Sequence, residues 1–80
     1  MAVKVLFALY PLLQGDSKAV EKALLALEES GVDHRVFPTH SEVSGEEEEV
    51  FSALKEAFLR AGEEGAWVMW ALLTTACEAG

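Results

Sequence analysis

The side chains in this sequence that could do chemistry are aromatic and polar rather than catalytic. His34 and His40 stand six residues apart in a stretch, His34–Gly45, that reads as extended chain. Neither lies beside a nucleophile with a third group to orient it, as a hydrolytic triad requires. Ser41, Ser44 and Ser52 sit in no nucleophile-elbow pattern. A metal site drawn from His34, His40 and the single cysteine, Cys77, would need long-range convergence that no ligand spacing advertises. Gly15 and Gly45 are isolated, so no glycine-rich phosphate loop is present. These absences predict a protein that is not an enzyme, holds no metal and uses no cofactor.

What remains is a set of rings and hydroxyls at strand positions. By alternation Tyr10 shares one side of its strand with Leu6 and Ala8, while Trp70 and Thr74 share one side of the last strand. Small Ala8 beside large aromatics leaves room for a flat guest. Rings in an acidic protein can hold a cationic heteroaromatic by stacking and cation–π contact, worth roughly 0.5–2 kcal/mol per ring. Glu42 adds negative charge from the middle of the chain. The rival reading is that these aromatics fill an interface between copies, and composition alone favours it. Glu46–Glu49 offers no cation site, because four consecutive helical residues point around most of the circumference. Those carboxylates complement the positive end of a helix dipole instead.

The elements that must position these residues follow from periodicity. Val3, Val5, Phe7 and Leu9 form one apolar face of a strand over 3–10, with Lys4, Leu6, Ala8 and Tyr10 on the other, and Pro11 ends it. Gln14-Gly15-Asp16-Ser17 supplies a turn and a helix N-cap. Val20, Ala23, Leu24 and Leu27 then form the stripe of a helix over Lys18–Glu29, with Gly31 at its left-handed terminus. Two short strands, 34–39 and 41–44, bend around Pro38-Thr39-His40. Ser44-Gly-Glu-Glu47 reads as a capping box opening a second helix. That helix carries the stripe Val50, Phe51, Leu54, Ala57, Phe58 and Ala61 and ends at Gly62 or Gly65. A strand over 67–76 closes the chain and is apolar on both sides.

The order β-α-β-β-α-β predicts an α+β, ferredoxin-like domain over residues 1–80. Its sheet has four antiparallel strands in the order 4-1-3-2, with both helices on one face. Since helices cover only one face, a last strand apolar on both sides calls for a partner, a ligand, or both, and predicts a dimer or higher homo-oligomer. An apolar share of 51% is generous for 80 residues and agrees. A net charge of −8 without a basic cluster argues against nucleic acid and against an anionic membrane surface. One cysteine allows no intramolecular disulfide, no signal-peptide pattern is visible, and the run Ala66–Leu73 is too short to span a bilayer. A soluble cytoplasmic protein is expected.

Several marks along the chain resemble the YkoF-like thiamine/hydroxymethylpyrimidine-binding family. They are Leu9-Tyr10-Pro11-Leu12 at the end of the first strand and Leu27-Glu28-Glu29-Ser30-Gly31-Val32 closing the first helix. Pro38-x-x-Ser41-x-Val43-Ser44-Gly45 follows, then Val50-Phe51-x-Ala53-Leu54, Phe58-x-x-Ala61 and a final strand running into Thr75-Ala76-Cys77. The resemblance implies non-catalytic binding of a thiamine-like pyrimidine near a sheet surface in a paired-domain assembly. Tyr10 and Ser41 fall on positions that match the family pattern. The ligand site expected on this combined basis is Tyr10, Ser41, Glu42, Trp70 and Thr74. The rival function is a structural or regulatory oligomerisation module without a small-molecule ligand.

Overall fold

The computed structural model describes residues 1–11, 17–65 and 67–76. Its elements run β1 (Ala2–Pro11), α1 (Ser17–Ser30), β2 (Asp33–Val36), β3 (Ser41–Glu46), α2 (Glu47–Gly62) and β4 (Trp67–Thr74). The four strands form one antiparallel sheet in the order β2-β3-β1-β4, the expected 4-1-3-2 read from the other edge. The turn expected at Gln14-Gly15-Asp16 lies outside the described residues, as do Leu12 and Cys77.

β1 sorts its side chains as its alternation requires. Val3, Val5 and Phe7 are buried with Val43 of β3 and with residues of both helices in a single core. Leu73, Ala71 and Met69 of β4 lie directly across from Val5, Phe7 and Leu9, so the odd-numbered side of β4 faces the helices. Val68, Trp70, Leu72 and Thr74 share the other side with Lys4, Leu6, Ala8 and Tyr10.

The helix stripes are narrower than the sequence implies. α1 buries Ala19, Ala23, Ala26 and Leu27, whereas Val20 and Leu24 are only partly covered. Alanines let this helix approach closely, and the larger pair leans toward the far end of β1. In α2 the buried set is Val50, Ala53, Leu54, Ala57 and Ala61. Phe51 and Phe58, expected in the core, are 45% and 41% exposed. They flank the inward stripe formed by Val50, Ala53, Leu54, Ala57 and Ala61. α1 ends as expected: Gly31 has φ +78 and its N–H donates to the Glu28 carbonyl. That backbone region strains any residue with a Cβ.

The capping box at Ser44 does not form. Ser44 is a ladder residue of β3, across from Lys4 on one side and Asp33 on the other. Pairing carries β3 on to Glu46, which occupies the N-cap with no side-chain cap bond. Gly45, at φ +148, turns the chain so that α2 begins without a loop. The Glu47 N–H donates to the Met1 carbonyl, so an N-terminal peptide of β1 does the work assigned to Ser44. Glu47, Glu48 and Glu49 fill the first turn as the dipole favours.

β2 is shorter than expected and β4 stops at Thr74. Phe37 leaves the ladder, and its N–H donates to the His40 carbonyl at 2.8 Å to close the bend around Pro38-Thr39. Charge pairs tie the helices together: Arg60 bonds Glu29 at 2.8 Å and Glu56 at 3.1 Å, and Lys22 reaches Glu64 at 2.6 Å.

Candidate functional site

The site is created by unequal strand lengths. The β1–β3 ladder runs from Ala2↔Glu46 to Phe7↔Ser41 and stops, because β3 begins at Ser41. β1 continues through Ala8, Leu9, Tyr10 and Pro11, paired with β4 alone. The other backbone edge of this overhang has no strand partner. Peptide groups there remain able to donate and accept hydrogen bonds.

A cavity of about 370 Å³ opens along this edge. Its walls are Phe7–Tyr10 of β1, Val20 and Leu24 of α1, and the bend Val36–Ser41. The partly covered pair of α1 thus lines the cavity. In the bend the Phe37 and His40 rings stack with centroids 4.9 Å apart and planes 20° apart. The Thr39 hydroxyl and His40 Nδ1 are 3.2 Å apart, which fixes the imidazole as well as the ring stack does. Ser41 is 8% exposed, and its hydroxyl makes no hydrogen bond among the described residues. The site therefore offers apolar and aromatic walls and, among the described residues, one unengaged hydroxyl and a strip of main chain without a strand partner. Those are means of holding a flat heteroaromatic that has its own donors and acceptors.

Of the residues expected to bind, Tyr10 and Ser41 both line this cavity. They reach it from different sides of the sheet: Ser41 is across from Phe7 on the helix-covered side, and Tyr10 is on the uncovered one. Glu42, Trp70 and Thr74 do not line it. Glu42 stands between Leu6 and Arg35 in the ladder, so its charge faces a guanidinium-bearing neighbour. Trp70 is across from Ala8, and Ala8 is buried although no helix covers that side. Thr74, near the opposite end of the sheet, accepts a hydrogen bond from the Ala76 N–H at 2.9 Å. Sequence reasoning missed Phe37, His40, Val20 and Leu24 as lining residues. The pattern Pro38-x-x-Ser41 marked the bend that Phe37 and His40 belong to, but of that bend only Ser41 was expected to bind; Val20 and Leu24 of α1 were expected in the core.

The histidines are held apart. His34 Nδ1 donates to the Val32 carbonyl at 3.0 Å, at the other end of the hairpin from His40. Among the described residues no three His, Cys, Asp or Glu side chains are grouped as metal ligands. No helix among them is long and apolar enough to cross a membrane.

The fold has solved counterparts. A protein from Streptococcus pneumoniae superposes with a TM-score of 0.86 at 23% identity, covering 98% of this chain and 90% of that one. A domain of unknown function from Bacillus cereus gives 0.81 at 20% identity, with 99% and 80% covered. A Thermotoga maritima protein provisionally assigned to thiamine biosynthesis or salvage gives 0.77 at 20% identity, with 91% and 82% covered. At such identities the likeness concerns the fold. No curated protein matches the chain. The sequence pattern of the YKOF-related family, however, matches residues 2–77, nearly the whole of it, and the chain belongs to that family.

Proposed function

We propose that this protein binds thiamine or its hydroxymethylpyrimidine moiety without transforming it, as a cytoplasmic homo-oligomer of ferredoxin-like domains. The observation that carries the reading is the cavity beside the β1 overhang. It joins the main chain of Ala8–Tyr10, which among the described residues has no partner on the β3 side, to Ser41 and the rings of Tyr10 and Phe37. An aminopyrimidine presents ring nitrogens and an exocyclic amine in one plane, which a strand edge can meet with alternating donors and acceptors. The Ser41 hydroxyl then takes one further polar atom, and Tyr10 and Phe37 cover the ring faces. Family membership and the fold shared with the Thermotoga maritima protein support a thiamine-related role. Among the described residues the titratable groups that line the cavity are Tyr10 and His40.

Glu42, Trp70 and Thr74 move out of the proposed ligand shell. Trp70, with Val68 and Leu72, favours a second reading, a structural or regulatory oligomerisation module, because these exposed side chains ask for cover. Calorimetry with thiamine, hydroxymethylpyrimidine and a neutral pyrimidine analogue separates the two. Binding in the micromolar range, about −8 kcal/mol, is expected for the first two. No heat at millimolar thiamine or hydroxymethylpyrimidine would refute the binding function and leave the module.

A further inference from the structure

The bend beside the cavity leaves one part of His40 free. The residue lines the 370 Å³ cavity and is half-buried. One face of its imidazole stacks on Phe37, with centroids 4.9 Å apart, and Nδ1 is engaged with the Thr39 hydroxyl at 3.2 Å. Nε2 makes no hydrogen bond among the described residues, so this nitrogen and the second ring face are what His40 can offer a guest. The polarity of Nε2 is not fixed from outside. A hydroxyl both donates and accepts, so Thr39 can give a proton to Nδ1, leaving Nε2 a donor, or accept one from it, leaving Nε2 an acceptor. A second hydroxyl is the partner that suits either state, whereas an amine only donates. Charge is an independent observation. Among the described residues that line the cavity none is an aspartate or a glutamate. Glu42, next to Ser41 in the chain, stands between Leu6 and Arg35 and does not line it. A positive charge brought in there would lose hydration without gaining a counter-charge from these residues.

Thiamine and hydroxymethylpyrimidine differ in these two respects. Both carry the aminopyrimidine, but the methylene on its ring bears a hydroxyl in the smaller molecule and a cationic thiazolium in the larger. We infer that His40 is a specificity-determining residue of the site. Its Nε2 hydrogen-bonds the hydroxyl of hydroxymethylpyrimidine, and the site takes this neutral alcohol in preference to thiamine. In this arrangement the amine and the adjacent ring nitrogen meet the β1 edge, and the Ser41 hydroxyl meets the other ring nitrogen. The hydroxymethyl arm, on the far flank of the amine, reaches the bend. This selectivity rests on the pyrimidine-binding function proposed above and narrows it to one of its two ligands.

Calorimetry on the unsubstituted protein and on His40→Phe tests it with three probes. They are hydroxymethylpyrimidine, thiamine, and the analogue in which a methyl group replaces the hydroxymethyl. Phenylalanine keeps a ring to stack on Phe37 and removes both nitrogens, and circular dichroism reports whether the variant keeps its fold. The unsubstituted protein is expected to bind hydroxymethylpyrimidine roughly 2- to 13-fold more tightly than the methyl analogue, the worth of one neutral hydrogen bond, and to prefer it to thiamine by at least as much. In His40→Phe, hydroxymethylpyrimidine should fall to the affinity of the methyl analogue, whose own Kd stays within about twofold. Imidazole nitrogen resonances of the unsubstituted protein give a second readout: Nε2 of His40 should shift with hydroxymethylpyrimidine and not with the methyl analogue. Thiamine or the methyl analogue binding as tightly as hydroxymethylpyrimidine would overturn the inference and leave the pyrimidine-binding function intact. A preference that folded His40→Phe retains would overturn the role of His40. No heat with any of the three probes would overturn the function and the inference together. If the variant fails to fold, the nitrogen resonances decide.

Discussion

Ser41→Ala tests whether the cavity beside the β1 overhang is the ligand site. The substitution removes one hydroxyl from a side chain that is 8% exposed and lines the cavity. That hydroxyl bonds nothing among the described residues, so no partner is orphaned when it goes. Stability should therefore change by no more than about 0.5 kcal/mol, the range of substitutions that break no named interaction. Binding should change more. One neutral hydrogen bond to the pyrimidine is worth about 0.5–1.5 kcal/mol, or a roughly 2- to 13-fold rise in Kd. Val43→Ala is the matched control: it lies on the same side of β3, is 0% exposed and does not line the cavity. It should cost about 1–3 kcal/mol of stability and leave the affinity of the folded protein alone. Urea unfolding and calorimetry on the two variants read both quantities. A Ser41→Ala variant that binds hydroxymethylpyrimidine unchanged would refute the assignment of Ser41, and a stability loss above about 1.5 kcal/mol would show that its hydroxyl holds the fold.

Other outcomes follow from the same geometry. Tyr10→Ala should weaken pyrimidine binding roughly 2- to 10-fold through lost ring contact, while Trp70→Ala leaves it unchanged, both read by calorimetry. Leu27→Ala empties the largest fully buried side chain and should cost about 3–5 kcal/mol in denaturant unfolding. Gly31→Ala meets no atom within 4 Å, so its cost, about 1 kcal/mol by thermal unfolding, comes from φ +78 alone. The Arg60 guanidinium, by hydrogen bond and charge, holds the Glu29 carboxyl below its ordinary range. Its contribution to stability is therefore present at neutral pH and fades as pH falls through the folded value. In Arg60→Ala, carboxyl NMR titration should find Glu29 moved back upward.

The sequence made strand faces legible and left strand lengths obscure. Alternation in β1 placed Val3, Val5 and Phe7 in the core, whereas alternation in β4 left open which of its sides meets the helices, and its register with β1 sets Trp70 on the side that holds Tyr10. Gly31 was readable because only a residue without a Cβ takes its backbone angle at no cost. The S-x-x-E pattern at Ser44 misled because capping is a local preference, and pairing of Ala2 with Glu46 is a tertiary one that outweighs it. Phe51 and Phe58 kept helical spacing with the core, yet spacing does not say how wide the surface under the helix is. Tyr10 was legible from strand alternation as well as from family resemblance, and Ser41 from the resemblance alone. Their meeting depends on where β3 starts relative to β1, which no local pattern encodes.

That stagger explains both cavities at once. β1 has ten residues, β4 eight and β3 six, so β1 must overhang each neighbour somewhere. Past Phe7 it overhangs β3, and the 370 Å³ cavity sits there. Before Lys4 it overhangs β4, whose ladder begins at Thr74, and the 480 Å³ cavity lies at that corner beside Val3. The first corner is enclosed by α1 and the β2–β3 bend, so only something small enough to enter can satisfy its main chain. The second lies at the other end of β1, beside the exposed Phe51 and Leu73. A single mismatch in strand length thus leaves main chain of β1 without a ladder partner at both ends, one beside each cavity.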